Sequence, residues 1–149
     1  GGAHPGGRCG GATALFENCT IHSKADSYIT AASTPEGRPY GFVFLECRLT
    51  AADGVNAVYL GRPWRSHAKT VFVQCHMGSH IRPEGWHNWN SPEKERTVFY
   101  AEGGNIGPGA DTANRVSWAK VLSEEDVKNY SAKEVLKPFL LPEMITSSQ

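Results

Sequence analysis

Long apolar runs are missing from this chain. Nowhere do its 149 residues hold 18 consecutive apolar side chains, and the start shows no signal-like pattern, so neither a membrane-spanning helix nor a membrane partner is expected. A surplus of charge of either sign is also missing, with 15 Lys and Arg against 15 Asp and Glu. Without a net positive field nothing gathers a polyanion, which argues against nucleic acid as a partner. Cysteine is scarce, and three of the four residues, Cys19, Cys47 and Cys75, recur at one fixed step. Thiols at the same position of successive repeats point the same way, so we read them as small buried hydrophobes without disulfides, with Cys9 outside the ladder. A metal centre is not indicated either. Cys75, His76, His80 and His87 are close in sequence, but an HxxxH pair shares a face only on a helix, and here the spacing belongs to a strand and its turn.

What is present is a repeat. Phe16, Phe44 and Phe72 are 28 residues apart, and so are Cys19, Cys47 and Cys75, and Ile21, Leu49 and Met77. A fixed period of this length marks a solenoid, in which each repeat buries its apolar face against its neighbours. Inside the repeat, Ala14 and Phe16 lie two apart, Cys19 and Ile21 lie two apart, and the pairs are offset by three. Period two is strand geometry and the odd step is a bend, so two short strands meet at a corner near Glu17 and Asn18. A third strand, 27–33, is matched to VYLGRP (58–63) at the same step, with Thr30 opposite Val58 and Ala32 opposite Leu60, and then to the region of Trp86. Three strands per rung and 28 residues per turn describe an all-β fold, a parallel β-helix. Its rungs stack about 4.8 Å apart, like residue on like, and each buried Phe stabilises it by about 2 to 3 kcal/mol.

Along the chain, residues 1–10 form a Gly-rich arm expected to be disordered, 11–122 the solenoid, and 123–149 short helices and a tail packed on it. Phe99 falls one short of the step, which places a slip in the fourth strand near 97–102, and NRVSWAKVL (114–122) reads as a last strand leaving the stack. Ser123 before three acidic residues, and Ser131 three before Glu134, are helix starts, predicting helices over 124–129 and 132–137.

One motif invites chemistry. In GRPW, Gly61 to Trp64, an Arg at a strand end can grip a carboxylate and a Trp two residues on can offer a flat face to a sugar. The plainer alternative is that Arg62 satisfies turn carbonyls, or pairs at the surface with Asp26, Asp53 or Glu36, while Trp64 covers the loop.

YLGRPW (59–64), IRPEGWHNW (81–89), and NIGPGA followed by RVSW within 105–118 resemble, in order, the signatures of the pectinesterases, or pectin methylesterases, over most of 11–118. The resemblance implies a right-handed parallel β-helix and a secreted or periplasmic protein. It implies hydrolysis of methyl esters of pectin (homogalacturonan) without metal or cofactor: one Asp attacks the ester carbonyl, a second protonates methanol, and glutamine amides hold the oxyanion. Arg62 then takes the catalytic role of orienting the nucleophile, and Trp64 binds substrate. The chain departs from the family where the nucleophile belongs. The DFIFG motif aligns on Gly6, Gly7, Arg8, Cys9 and Gly10, and the general-acid motif would lie before residue 1. Gly103 stands where an aromatic is usual. Two readings follow: part of a pectinesterase, inactive alone, or a non-catalytic polygalacturonate-binding or structural module.

Overall fold

Strand pairing is parallel throughout, and it follows the Phe ladder. In the computed structural model, which describes residues 13–137, three strands make each of the first two rungs. The first rung holds β1 (Ala14–Glu17), β2 (Thr20–Ser23) and β3 (Tyr28–Ala32), and the second holds β4 (Phe42–Leu45), β5 (Arg48–Ala51) and β6 (Tyr59–Pro63). The third holds β7 (Lys69–Val73), β8 (His76–Met77) and a wall without a regular strand, where Ile81 and Trp86 bridge back to Val58 and Gly61. β9 (Phe99–Gly103) and β10 (Lys120–Val121) complete a five-stranded sheet in the order β1, β4, β7, β9, β10. β2, β5 and β8 form a second sheet, and β3 with β6 a third. The arm 1–10, the positions aligned with the nucleophile motif, Cys9 and the tail beyond 137 lie outside the described residues.

The ladders are columns in the interior. Phe16 stacks on Phe44 at 4.9 Å and Phe44 on Phe72 at 4.5 Å, with planes 16° and 8° apart. Cys19, Cys47 and Cys75 are free thiols, the last two buried. Cys47 and Cys75 donate back to Phe16 and Phe44 carbonyls at 3.3 and 3.5 Å. The hydrogen bond with Cys47, and then burial, push the Cys75 thiol up, so it stays protonated. Between the Phe and Cys columns each rung turns on one left-handed residue: Asn18, Glu46 and Gln74 have φ of 55°, 54° and 54°. That single residue is the odd step of the repeat.

Three expectations need correction. Thr30 lies opposite Gly61, not Val58, and Ala32 opposite Pro63, not Leu60. The turn after β5 is three residues longer than the turn after β2, and the following connection is three shorter, so the 28-residue step returns by β7. The slip expected in the fourth strand is present but in the other sense: β9 lies two residues beyond the 28-residue step, so Phe99 faces Lys69 and Glu102 takes the seat above Phe72, because the loop after Trp89 winds through a 3-10 turn at Pro92–Arg96. Finally, 114–122 does not leave the stack: Lys120 and Val121 pair with Ala101 and Glu102 of β9.

The five-stranded sheet is apolar on both faces. Phe42, Phe44 and Phe72 point into the solenoid, while Val43, Leu45, Val71 and Val73 point out and are covered by the C-terminal segment. There α1 (Glu124–Lys128) starts on Ser123, whose Oγ accepts from the Asp126 N–H at 3.1 Å. A second helix, α2 (132–137), starts on Ser131, which accepts from Glu134 in the same way. Val135 of α2 is fully buried against this outer face. No helix among the described residues is long and apolar enough to cross a membrane.

Candidate functional site

β6 delivers Arg62 beside Ala31 of β3, and from there its side chain enters a ring of aromatics. Its guanidinium carbon lies 3.7 Å from the Trp89 ring centre, 4.9 Å from Tyr28 and 5.9 Å from Trp64. Cation and ring faces attract through the ring quadrupole, which holds the group without using its N–H donors. Nε and Nη1 of Arg62 are buried and have no hydrogen-bond partner among the described residues. The acids named from sequence do not reach it. Asp26 accepts the Asn56 and Ala57 N–H groups at 3.0 and 2.9 Å, Glu36 sits 3.5 Å from His67, and no ion pair joins Asp53 to Arg62. The surface-pair alternative for Arg62 is therefore overturned: the cation is caged by rings.

Around this cage the aromatic face widens. Trp64 is 56% exposed and Trp89 43%, both large apolar rings turned to solvent. Tyr28 and Tyr59 stack at 5.2 Å, 11° from parallel, His87 lies 5.1 Å from Tyr59, and Trp89 and Tyr28 meet edge to face at 5.7 Å. Tyr28 and Tyr59 are neighbours because β3 and β6 pair at that register. Trp89 and Asn90 adopt left-handed φ of 56° and 57°, and the Trp89 N–H donates to His87 Nδ1 at 3.0 Å, which leaves the His87 proton on Nε2. Beneath the cage, the Tyr100 hydroxyl is buried without a partner among the described residues. Burial raises that phenol well above its ordinary range, and the Arg62 charge pulls in the other direction.

Sequence reasoning singled out Arg62 and Trp64, and the structure brings both into one face. It missed Tyr28, Tyr59, His87 and Trp89. The last two stand in the IRPEGWHNW stretch, and alternation next to the inward Leu60 would have sent Tyr59 outward, whereas Tyr28, two residues from the inward Thr30, gives no such signal. Cys75, His76, His80 and His87 do not converge; among the described residues no three His, Cys, Asp or Glu side chains group as metal ligands.

Fold and face together define a parallel β-solenoid that carries a half-buried cation within an exposed aromatic surface. The sequence pattern of the pectinesterases matches residues 8–138, and the chain belongs to the pectinesterase family. It is 38% identical over 139 residues to putative pectinesterase 11 of Arabidopsis thaliana, covering 90% of this chain and 39% of that protein. Among solved structures it superposes on the pectin methylesterase from carrot with a TM-score of 0.77 and 26% identity, covering 91% of this chain and 47% of that one. A pectin methylesterase in complex with a hexasaccharide gives 0.68 and 27%, over 85% and 45% of the two chains. The chain spans between about one fifth and two fifths of the length of the curated relatives it matches, 39% and 41% for two of them and 21% for another.

Proposed function

We propose that this chain is the C-terminal part of a pectinesterase catalytic domain, and that the Arg62 face holds polygalacturonate while its methyl esters are hydrolysed. The observation that carries this reading is the Arg62 guanidinium, whose Nε and Nη1 are buried without a hydrogen-bond partner among the described residues. Desolvated donors without acceptors cost about 1 to 3 kcal/mol each, so such an arrangement is kept for a partner. A carboxylate nucleophile is the partner that the chemistry calls for. Set against Arg62 it would be oriented by two N–H groups and held ionised by the adjacent charge, ready to attack the ester carbonyl. The acyl intermediate then yields to water, after a second acid has given methanol its proton. Trp64 and Trp89 provide the ring faces on which galacturonate units stack.

No carboxylate pairs with Arg62 among the described residues, which supports the reading that the 149-residue polypeptide alone lacks the attacking group. It is expected to release no methanol from methyl-esterified pectin above the buffer blank, because losing a nucleophile typically costs several orders of magnitude in rate. Binding survives: the exposed Trp64 and Trp89 favour a polygalacturonate-binding module as the second reading. One experiment addresses both, pairing a methanol assay with tryptophan fluorescence titration by oligogalacturonate. Methanol release abolished by Arg62→Ala would show that another residue supplies the nucleophile. Absence of any oligogalacturonate binding would remove the polysaccharide site from both readings.

A further inference from the structure

The seat above Phe72 in the interior column is filled by a charge. Glu102 pairs there with Arg115, and their side chains are 1% and 4% exposed. The two carboxylate oxygens take Arg115 Nε at 2.8 Å and Nη2 at 2.9 Å, and Oε2 also accepts the Trp86 indole N–H at 3.2 Å. Arg115 has three further donor positions, and each is used. Nη2 donates to the Gly109 carbonyl at 2.7 Å, and Nη1 to the carbonyls of Pro83 at 3.1 Å and Arg82 at 3.4 Å. All five N–H groups of one guanidinium are thereby spent on four separate places in the chain.

Those places share one neighbour, the segment that ends in Trp89. Carbonyls 82 and 83 and the Trp86 indole lie within a few residues of His87 and Trp89. From the other side, Leu60 N–H donates to the Gly85 carbonyl at 2.6 Å and His87 N–H to the Gly61 carbonyl at 3.1 Å. Trp86 itself is 1% exposed and stacks on Tyr100 at 4.3 Å. Gly85 has φ of 77°, and a Cβ there would stand 2.5 Å from Arg115 Cδ, so glycine admits the guanidinium stem against the loop. The segment is clamped between β6, which carries Arg62, and a buried ion pair.

We propose that Arg115, through Glu102 and Trp86, is the positioning residue for the aromatic face: it sets where Trp89 sits over Arg62. The proposal rests on the reading of that face as a polygalacturonate site. It assigns to the buried pair a role in ligand affinity beyond its role in folding. A lysine at 115 keeps the charge but has one nitrogen, and cannot span the Glu102 carboxylate and three carbonyls at once.

The test uses the full chain with Arg115→Lys, Glu102→Gln as the isosteric second variant should the first not fold, and Val135→Ala as control. Val135 is buried against the outer face of the five-stranded sheet, so its truncation lowers stability away from the clamp. Affinity for de-esterified oligogalacturonate is read by tryptophan fluorescence well below each melting temperature. The Arg62 Nε–H and the tryptophan indole N–H resonances are read by NMR without ligand. Expected are a lower melting temperature in all variants, and affinity weakened tenfold or more only in those at 115 or 102. In these same variants the Arg62 Nε–H should lose the upfield shift given by the Trp89 ring, while the Trp64 indole stays in place. Equal affinity and an unmoved Arg62 resonance in Arg115→Lys or Glu102→Gln would overturn the proposal. If the unsubstituted chain binds no oligogalacturonate, the polysaccharide reading fails, and the Arg62 and Trp89 resonances still decide the positioning claim.

Discussion

A guanidinium taken out of water must have its donors used, and this chain holds two that are treated in opposite ways. Arg115 uses all five; Arg62 leaves Nε and Nη1 without acceptors. Their truncations should therefore differ in sign or size. Arg115→Met strands the Glu102 carboxylate in the interior and is expected to cost about 3 to 5 kcal/mol, whereas Arg62→Met removes unsatisfied donors but also the cation–ring attraction, opposing effects that leave a change within about 1 kcal/mol either way. Urea denaturation of the two variants reads both, and a loss above about 2 kcal/mol in Arg62→Met would mean that Arg62 has a partner. His80 gives the pH counterpart. It is 3% exposed with Nε2 unpartnered, and burial first, then the charge of nearby His22, lower its pKa; Arg48, Asp53 and His76 line the same groove. A lowered pKa means that the unfolded chain, with an ordinary value of about 6.5, binds the proton more readily than the fold. The His80 contribution is then complete above about pH 6.5 and is lost as pH falls towards its folded pKa. The drop in melting temperature between pH 7.5 and 5.5 should be smaller in His80→Gln than in the unsubstituted chain; an equal drop would assign the dependence to other groups.

At the scale of the element, the corner between β1 and β2, and its two copies, is one residue with φ near 55°. The left-handed region costs a residue with a Cβ about 1 to 2 kcal/mol, and glycine little. Glu46 is exposed, no side-chain bond ties it to a neighbour, and its N–H donates to the Val73 carbonyl at 3.0 Å whatever the side chain. Glu46→Gly should raise the melting temperature by a few degrees, and Glu46→Val should lower it. A loss in the glycine variant would mean that the unfolded-state entropy of glycine outweighs the relieved strain. This corner was legible in the sequence because an odd step between two period-two pairs can be met in no other way by stacked strands. The pairing of β3 with β6 was not. A longer turn before β6 and a shorter connection after it cancel over the full period, so the ladders on either side keep their step while the strand between them shifts by three. Glu102 was hidden for a related reason. A charged residue in an apolar column is readable only once Arg115, arriving from a loop 13 residues later, is known to face it. Arg62 and Trp64 stood in one short motif, but the cage around them is assembled from three rungs: Tyr28, Tyr59 and the 87–89 turn.

For the molecule as a whole, stacking leaves two ends that differ. At the C-terminal end the interior is closed: Trp118 packs on Tyr100 at 6.0 Å, Val116 and Ala119 join the core, and Arg115 with Glu102 spends every polar group it brings. At the other end β1 has a strand partner on one side only among the described residues, and Ala14, Leu15 and Phe16 are half-buried although they occupy columns whose next members, Phe42, Val43 and Phe44, are sealed. An unpaired, flat and apolar strand edge is a template for another chain, and no proline or lysine interrupts Ala14–Glu17. The 149-residue polypeptide, made as it stands, should therefore associate through this edge with rising concentration and unfold at modest temperature. Sedimentation velocity over a hundredfold concentration range would show the sedimentation coefficient increasing. Leu15→Lys, which places a charge on that edge without entering the Phe column, should return the chain towards a monomer. A concentration-independent monomer with a high melting temperature would show that the edge is already covered.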